Sequence, residues 1–184
     1  DEVYEHVVFD GAEHLSLARD TVLAERAIVV SSFGKTYHTT GWKVGYCLAP
    51  KEVSAEIQRI HQFVTFSVNN AVQSAYADFV GRDPLAAGVS TFYQQKRDLF
   101  LSVLQETRFR PLPCAGTYFQ LLDYSSITNE PDMNVALQLL QEQGVASIPL
   151  SPFLYASAPD PVLRFCFAKR DDTLEQAAAR LRRV

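Results

Sequence analysis

Apolar residues recur with two different periods along the chain, and the two periods predict strands and helices. Short continuous or alternating apolar runs, typical of strands, occupy positions 27–30, 47–50, 116–122, 145–149 and 162–168. Helical spacing of apolar residues predicts helices over positions 16–26, 54–64, 69–80, 84–107 and 132–143, and a last helix after position 173. Strands that alternate with helices predict an α/β or α+β fold.

The first half of the chain carries two further local predictions. Residues 1–9 change from acidic to apolar and predict the end of a strand, followed by a turn at positions 10–11. Ser54 is a favourable N-cap residue, and the apolar positions that follow it at helical spacing predict one buried face. The positions of that face are Ile57, Ile60, His61 and Val64.

Asp83-Pro84 predicts a boundary between two domains, because Asp is a good N-cap and proline is favoured in a first helical turn. The predicted domains are residues 1–83 and 84–184. The second has the order strand, helix, strand, strand, helix after a long helix, which is enough for a small α+β domain. The first has few strands, and these need further partners to bury both faces. Since the chain also begins at Asp1 rather than at methionine, we expect it to be part of a longer protein.

Charge and composition argue against several classes of partner. The 184 residues carry 17 Lys and Arg against 21 Asp and Glu, a formal net charge of −4, without a basic block interleaved with aromatic residues. Nucleic acid is therefore not an expected partner. No apolar run reaches the length of a membrane span and no signal peptide is recognisable, so we expect a cytoplasmic protein without membrane contact. Cys47, Cys114 and Cys166 are isolated and predict reduced core residues rather than disulfides or metal ligands.

A glycine-containing stretch at positions 31–46, SSFGKTYHTTGWKVGY, follows the first predicted strand. Lys35 lies in it among small and hydroxyl residues, whereas a solvated lysine usually has charged neighbours. A partly desolvated amine loses its proton more easily and can form a Schiff base, so Lys35 is a candidate nucleophile on a tight turn at a strand end. The alternative is a glycine-rich β-hairpin that carries two surface lysines, Lys35 and Lys43.

Three other features would complete such a site. Asp1 and Tyr4 can present a carboxylate and a phenol to one cavity if they lie at a strand end; otherwise Asp1 is solvated and Tyr4 is a core residue. Lys43 and Ser32 flank a turn whose backbone amides could bind a phosphate; otherwise they are ordinary surface residues. Arg164 lies between apolar residues in the last predicted strand and needs an anion, either a carboxylate ligand or a structural ion-pair partner.

A Schiff-base lysine, a phosphate site, a carboxylate, a phenol and a carboxylate-binding arginine are groups that a pyridoxal-phosphate enzyme requires. The motifs DEVY, SFGKTYHTTGWKVGY and RFCFAK occur in this order at positions 1–4, 32–46 and 164–169. With these motifs the chain resembles the class I/II (fold type I) pyridoxal-phosphate-dependent aminotransferases. Within that family it resembles the methionine, kynurenine and glutamine-K transaminase group, and the bacterial methionine aminotransferases most of all. The resemblance implies an α/β fold, with the end of the large mixed-sheet domain followed by a small α+β domain.

The resemblance also implies a role for each candidate in binding pyridoxal 5′-phosphate. Lys35 would hold the cofactor as a Schiff base and then move the proton between the substrate Cα and the cofactor. Asp1 would pair with the pyridine nitrogen and keep it protonated, and Tyr4 would hydrogen-bond the 3′ oxygen. Ser32 and Lys43 would bind the phosphate.

Two further residues are assigned to the substrate by the same resemblance. Arg164 would bind the substrate α-carboxylate. Phe66 would line the side-chain pocket of the neighbouring subunit in a homodimer; its alternative is plain core packing. The family's other cofactor contacts come from sequence ahead of the aspartate that Asp1 matches. An N-terminal part of the same chain is therefore an expected partner, and residues 1–184 alone are expected not to transaminate.

The activity that the resemblance implies is transamination of an amino acid to its 2-oxo acid, with a 2-oxo acid as amino acceptor. The aromatic candidates Phe66, Tyr37 and Tyr155 favour methionine or another large apolar or aromatic substrate. One alternative is a carbon–sulfur β-lyase on the same fold, which would need the same residues. Another is the aminotransferase-like sensor domain of a transcription regulator, which would bind the cofactor without turnover.

Overall fold

The computed structural model describes residues 1–82, 88–155 and 160–184. Contacts within the chain divide it into two compact units, Asp1–Ser90 and Thr91–Val184. The predicted domain boundary at Asp83-Pro84 lies outside the described residues and stays a prediction.

The first unit contains one pair of strands among helices of very different length. The strands are β1 (Val29–Ser32) and β2 (Gly45–Leu48). The α-helices are α1 (Thr21–Ala24), α2 (Phe33–Thr36), α3 (Lys51–Val64) and α4 (Asn70–Val80), and 3-10 turns lie at Leu17–Arg19 and Thr40–Trp42. The strands pair antiparallel, with Ser31 opposite Tyr46. The first predicted strand is confirmed, although it begins at Val29 rather than at Ala27.

Within residues 1–9, predicted as the end of a strand, positions 3–6 form a turn and Val8 forms an isolated bridge. The amide of Glu5 donates to Glu2 O at 2.9 Å, so this backbone is used in local hydrogen bonds rather than in a ladder. The amide of Glu2 donates to Val30 O at 2.7 Å and attaches the turn to β1. The turn predicted at positions 10–11 is confirmed, since both residues have positive φ, 58° and 71°.

Helix α3 ends at Val64 as predicted, but its start, its cap and its burial differ from the prediction. It begins at Lys51, and Ser54 lies within it, where its hydroxyl donates to Ala49 O at 3.0 Å. The prediction of a buried face is wrong for this chain, because Ile60 and Val64 are 63% and 77% exposed. The apolar period is present, but no described residue covers these side chains.

Helix α4 has nearly the predicted extent and is capped at both ends. The Asn69 side chain accepts a hydrogen bond from Val72 N at 3.2 Å, which satisfies one unpaired amide of the first turn. Gly81 is the C-cap residue, and its amide donates to Ala77 O at 3.3 Å. The helix buries Tyr76, whose ring centre lies 4.7 Å from that of Phe33 at the start of α2.

The second unit contains a four-stranded antiparallel sheet in the order β3, β4, β6, β5. The strands are β3 (Arg110–Pro111), β4 (Phe119–Asp123), β5 (Ile148–Pro149) and β6 (Val162–Cys166). The helices are α5 (Val89–Leu104), α6 (Asp132–Gln138), which continues as a π turn at Leu139–Gln143, and α7 (Asp171–Leu181). The predicted order of strand, helix, strand, strand, helix is found from β4 onward, whereas the two-residue strand β3 between the long helix and β4 was not predicted.

The core of the second unit lies on the two central strands and α7. Leu122 of β4 and Leu163 of β6 face each other in register, and neither is exposed to solvent. Ala178 and Leu181 of α7 are also fully buried. Burial of several aliphatic side chains at 1.5–3 kcal/mol each, as an order of magnitude, stabilises the sheet on which β6 lies.

The cysteines differ from the prediction of core residues. Cys47 is exposed, while Cys114 and Cys166 are half-buried, and none of the three forms a disulfide in the described part of the chain. The prediction is wrong for Cys47, because the face of the β1–β2 pair that carries it also leaves Val30 46% exposed. Among the described residues, no helix has both the length and the apolar character needed to cross a membrane.

Candidate active site

Lys35 lies half-buried in α2, immediately after β1 ends. The segment folds back on itself, because Thr39 N and Thr40 Oγ1 both donate to Gly34 O, at 3.0 and 3.2 Å. A β-carbon at position 34 would lie 2.9 Å from Thr40 Cα, so only glycine fits without a shift of the backbone. Residues 33–44, called the lysine turn below, therefore form a compact loop around the candidate nucleophile.

A cluster of aromatic rings holds the backbone on both sides of the candidate nucleophile. Tyr76 of α4 is 5% exposed; its ring centre lies 4.7 Å from that of Phe33 and 5.5 Å from that of Trp42. The Tyr76 hydroxyl is hydrogen-bonded to Thr39. Tyr37 joins the cluster with its ring centre 6.2 Å from that of Tyr76. Ring pairs at these separations attract one another beyond their buried area.

Asp1 and Tyr4 lie in the N-terminal turn, residues 1–6. Asp1 is exposed, and its Oδ1 accepts a hydrogen bond from the backbone amide two residues on, at 3.0 Å; Tyr4 is half-buried. The hydrogen bond from Glu2 N to Val30 O joins this turn to β1, the strand that leads into the lysine turn. The structure thus attaches both turns to the same strand.

The predicted phosphate ligands are Ser32, which directly precedes the lysine turn, and Lys43, which lies near its end. Ser32 is the N-cap residue of α2, but its side chain makes no capping hydrogen bond. Lys43 is exposed, has a left-handed backbone with φ 58°, and makes no ion pair with the described part of the chain. A β-carbon at position 45 would lie 2.6 Å from Ser31 O, so Gly45 allows β1 and β2 to approach closely at Ser31 and Ser32. Of the two surface lysines in the hairpin alternative, Lys43 is exposed, whereas Lys35 is half-buried.

Arg164 belongs to the second unit and lies on β6, opposite Leu121 and Ile148 of the neighbouring strands. Its Cζ lies 4.4 Å from the ring centre of Phe119 and 5.7 Å from that of Phe153. Its Nε is buried without a hydrogen-bond partner, and within residues 1–82, 88–155 and 160–184 the guanidinium forms no ion pair. An arginine held beside aromatic rings, with unused donors, is suited to bind a carboxylate.

The three aromatic candidates for a substrate pocket have different surroundings. Phe66 follows α3 with φ 68° and is 84% exposed, so the alternative of core packing is wrong for it. Tyr155 is fully exposed. Tyr37 packs edge-to-face against Phe79, with ring centres 5.4 Å apart, and belongs to the aromatic cluster.

The sequence profile of the family described as aminotransferase class I and II matches residues 1–181. The chain belongs to this aminotransferase family. It is 50% identical, over 100% of its length, to the methionine aminotransferase of Escherichia coli, and 37% identical, over 96%, to the kynurenine–oxoglutarate transaminase of Dictyostelium discoideum. It covers 48% and 46% of these two proteins, so the chain spans about half the length of the curated relatives it matches.

Solved structures of aminotransferases have the same fold as this chain. An Escherichia coli crystal structure associated with a methionine aminotransferase function has a TM-score of 0.94 at 50% identity, covering 100% of this chain and 48% of that one. The structure of N-succinyldiaminopimelate aminotransferase from Mycobacterium tuberculosis has a TM-score of 0.91 at 35% identity, covering 98% and 48%. The expected fold type I α/β class is confirmed by these likenesses.

Class I and II aminotransferases use pyridoxal 5′-phosphate, and the donor set of this aminotransferase chain fits that cofactor. Lys35 offers an amine for an aldehyde carbon, and Asp1 offers a carboxylate for a basic ring nitrogen. Ser32 and Lys43 offer a hydroxyl and an ammonium for a phosphate.

Sequence reasoning missed two residues that organise this region of the aminotransferase chain. Tyr76 centres the aromatic cluster, and Glu5 links the N-terminal turn to Ser31 and Tyr46. The sequence shows Glu5 as an acidic residue close to apolar ones, and this alone does not identify its hydrogen-bond partners. No group of His, Cys, Asp and Glu suited to a metal ion occurs in the described part of the chain.

Proposed function

We propose that the whole protein is a pyridoxal-phosphate-dependent aminotransferase. It converts an amino acid with a large side chain, methionine or an aromatic one, to its 2-oxo acid and passes the amino group to a second 2-oxo acid. The 50% identity to the Escherichia coli methionine aminotransferase supports methionine. The 37% identity to a kynurenine–oxoglutarate transaminase supports an aromatic substrate.

The observation that carries the proposal is the environment of Lys35. The side chain is half-buried at the end of a strand, on a turn closed against Gly34 and supported by Tyr76. A lysine held in this way, in a chain that the aminotransferase profile matches from residue 1 to residue 181, is suited to covalent binding of an aldehyde.

Bound pyridoxal phosphate supplies an electron sink for bond cleavage at the substrate Cα. The Lys35 amine would hold the aldehyde carbon of the cofactor and, once released from it, would move a proton at the substrate Cα. The Asp1 carboxylate would hold a proton on the ring nitrogen, and the Tyr4 phenol would donate to the ring oxygen.

The remaining candidates bind the charged ends of cofactor and substrate. Ser32 donates to the phosphate, and Lys43 faces it as a point charge. Arg164 binds the substrate α-carboxylate through parallel N–H bonds, a role that its buried, unpartnered Nε supports. Phe66 lines the side-chain pocket of a second copy in a homodimer, a role that its 84% exposure supports.

The experiment that tests the proposal is Lys35→Ala in the whole protein, with Lys51→Ala as a matched control at an exposed lysine. Lys35→Ala is expected to abolish the absorbance of lysine-bound cofactor. It is also expected to lower turnover by about a hundredfold to ten-thousandfold, from the lost proton transfer alone. Lys51→Ala keeps both. A Lys35→Ala protein with the absorbance and turnover of wild type contradicts the proposal.

Product analysis separates transamination from β-elimination on the same fold. We expect a 2-oxo acid and an aminated acceptor from methionine, without pyruvate and ammonia from cystathionine. The reverse result would assign the protein to the carbon–sulfur lyases. Residues 1–184 alone, supplied with cofactor, are expected to give no turnover.

A further inference from the structure

Glu5 joins three elements around the candidate active site. Its Oε1 accepts a hydrogen bond from Tyr46 Oη at 2.7 Å and another from Ser31 Oγ at 3.2 Å. Ser31 lies on β1 and Tyr46 on β2, opposite each other in register. Ser31 Oγ also lies within hydrogen-bonding distance of Glu2 O, at 3.4 Å. One carboxylate oxygen therefore ties the N-terminal turn to both strands that flank the lysine turn.

These contacts are sheltered from solvent. Ser31 is 3% exposed, and the Glu5 side chain is 26% exposed. Burial, followed by the hydrogen bond to Glu5, raises the pKa of Tyr46, so its phenol stays protonated and donates at neutral pH. Hydrogen bonds to an ionised carboxylate are shorter and about twice as strong as neutral ones. Removal of the carboxylate would leave the Ser31 hydroxyl without this acceptor in the protein interior.

We propose that Glu5 is a positioning residue for cofactor binding, which holds the turn carrying Asp1 and Tyr4 in register with the lysine turn. Glu5 acts through Tyr46 and Ser31 and does not itself touch cofactor or substrate. The inference rests on the proposed function, because it assumes that both turns contact the same cofactor. Because Ser31 of β1 and Tyr46 of β2 share the Glu5 acceptor, its carboxylate constrains the distance between the two turns.

The test measures the dissociation constant of pyridoxal phosphate for the whole protein, by titrating the absorbance of lysine-bound cofactor. Glu5→Ala is expected to weaken cofactor binding by about tenfold, the factor that corresponds to roughly 1.4 kcal/mol. Glu5→Gln keeps an oxygen that accepts from Tyr46 and Ser31, and is expected to bind within about threefold of wild type. The KM for the amino acid is expected to stay unchanged, because the proposed carboxylate ligand is Arg164.

A structural control separates positioning from general destabilisation. Phe9→Leu alters a buried side chain of the same unit, 1% exposed, and is expected to lower the Tm of the cofactor-free protein while leaving the dissociation constant within about twofold of wild type. If Phe9→Leu and Glu5→Ala lower the Tm equally and weaken binding equally, Glu5 has a structural role only and the inference is overturned.

Two further outcomes separate this inference from the proposed function. Wild-type protein that binds cofactor, together with Glu5→Ala protein that binds it equally well, overturns the role of Glu5 and leaves the aminotransferase assignment intact. Wild-type protein that shows no lysine-bound cofactor overturns both.

Discussion

Lys35 and Arg164 are held in place by different kinds of structure. Lys35 lies on a turn between two paired strands, in a unit where Val30 and Leu48 of those strands are 46% and 52% exposed. Arg164 lies on a central strand of an antiparallel sheet, next to Leu163, which is fully buried. Directional hydrogen bonds and ring contacts fix the lysine, whereas the packing of a hydrophobic core fixes the arginine.

The difference follows from what each residue has to do. A turn offers backbone amides, hydroxyls and a movable amine to one small ligand, as covalent binding and proton transfer require. A core strand holds one side chain in one direction, which suits recognition of a carboxylate with fixed geometry. Loss of a single directional contact should therefore matter most in the first unit, and loss of packing most in the second.

The largest expected effect comes from a matched pair of leucines, one in each unit. Leu163→Ala is expected to destabilise the chain by about 2–5 kcal/mol, because it leaves a cavity beside Leu122 in the core of the sheet. Leu48→Ala removes the same atoms from a side chain that is 52% exposed, and is expected to cost less than about 1 kcal/mol. Urea unfolding of the 184-residue chain measures both values. Equal costs would break the comparison, since they would mean that the exposed face of β2 is covered in solution.

A second prediction concerns a hydrogen-bonded contact within the second unit. The Asp132 carboxylate accepts from Leu150 N and Ser151 N, both at 2.7 Å, and from Ser151 Oγ at 2.7 Å. It thereby fixes the 3-10 turn at Ser151–Phe153, whose Phe153 ring faces Arg164. Burial alone would raise the pKa of Asp132, but the hydrogen bonds from Ser151 and Leu150 outweigh it, and the pKa lies below its ordinary value.

A carboxyl group with a lowered folded-state pKa stabilises the fold above its ordinary pKa of about 3.9, and this contribution is lost as the pH falls through the lower, folded-state value. Asp132→Asn is therefore expected to cost about 1–3 kcal/mol at neutral pH and to make unfolding less dependent on pH below about pH 4. Asp78→Asn, at an exposed position, is the control and is expected to change stability by less than about 0.5 kcal/mol. Unfolding free energies between about pH 2 and pH 7 test both. If the unfolding free energy of Asp132→Asn falls with decreasing pH as steeply as that of the wild type, the proposed role of this carboxylate is contradicted.

Sequence patterns predicted best those structural features that depend on residues close together along the chain. The extent of α4 was predictable, because its apolar residues at helical spacing and the glycine that follows them lie within one short segment. The order of strands and helices in the second unit was predictable for the same reason, apart from the two-residue strand β3. The burial of α3 was not, because apolar spacing indicates an apolar face without saying what covers it.

The candidate site was predictable only in part. Lys35 and Arg164 drew attention because each is a cation among residues that do not usually accompany one, but their roles came from resemblance to a family. The Glu5–Tyr46 contact joins residues 41 positions apart and depends on how β1 and β2 pair. Sequence spacing does not encode such a contact, so neither Glu5 nor Tyr76 could be recognised before the fold was known.

The smallest expected effect comes from the ring beside Arg164 and tests whether this arginine serves substrate binding rather than the chemical step. Phe119→Leu removes the ring 4.4 Å from Arg164 Cζ, a contact worth about 0.5–1 kcal/mol where it is exposed to solvent. In the whole protein the KM for the amino acid is expected to rise about twofold to fivefold with kcat unchanged. The reason is that the Phe119 ring orients Arg164, which binds the substrate carboxylate, and touches no proposed catalytic group. Phe92→Leu in α5, 45% exposed, is the control and is expected to leave KM at its wild-type value. A fall in kcat without a change in KM would mean that the ring acts on the chemical step, and that the two regions do not divide binding and catalysis between them.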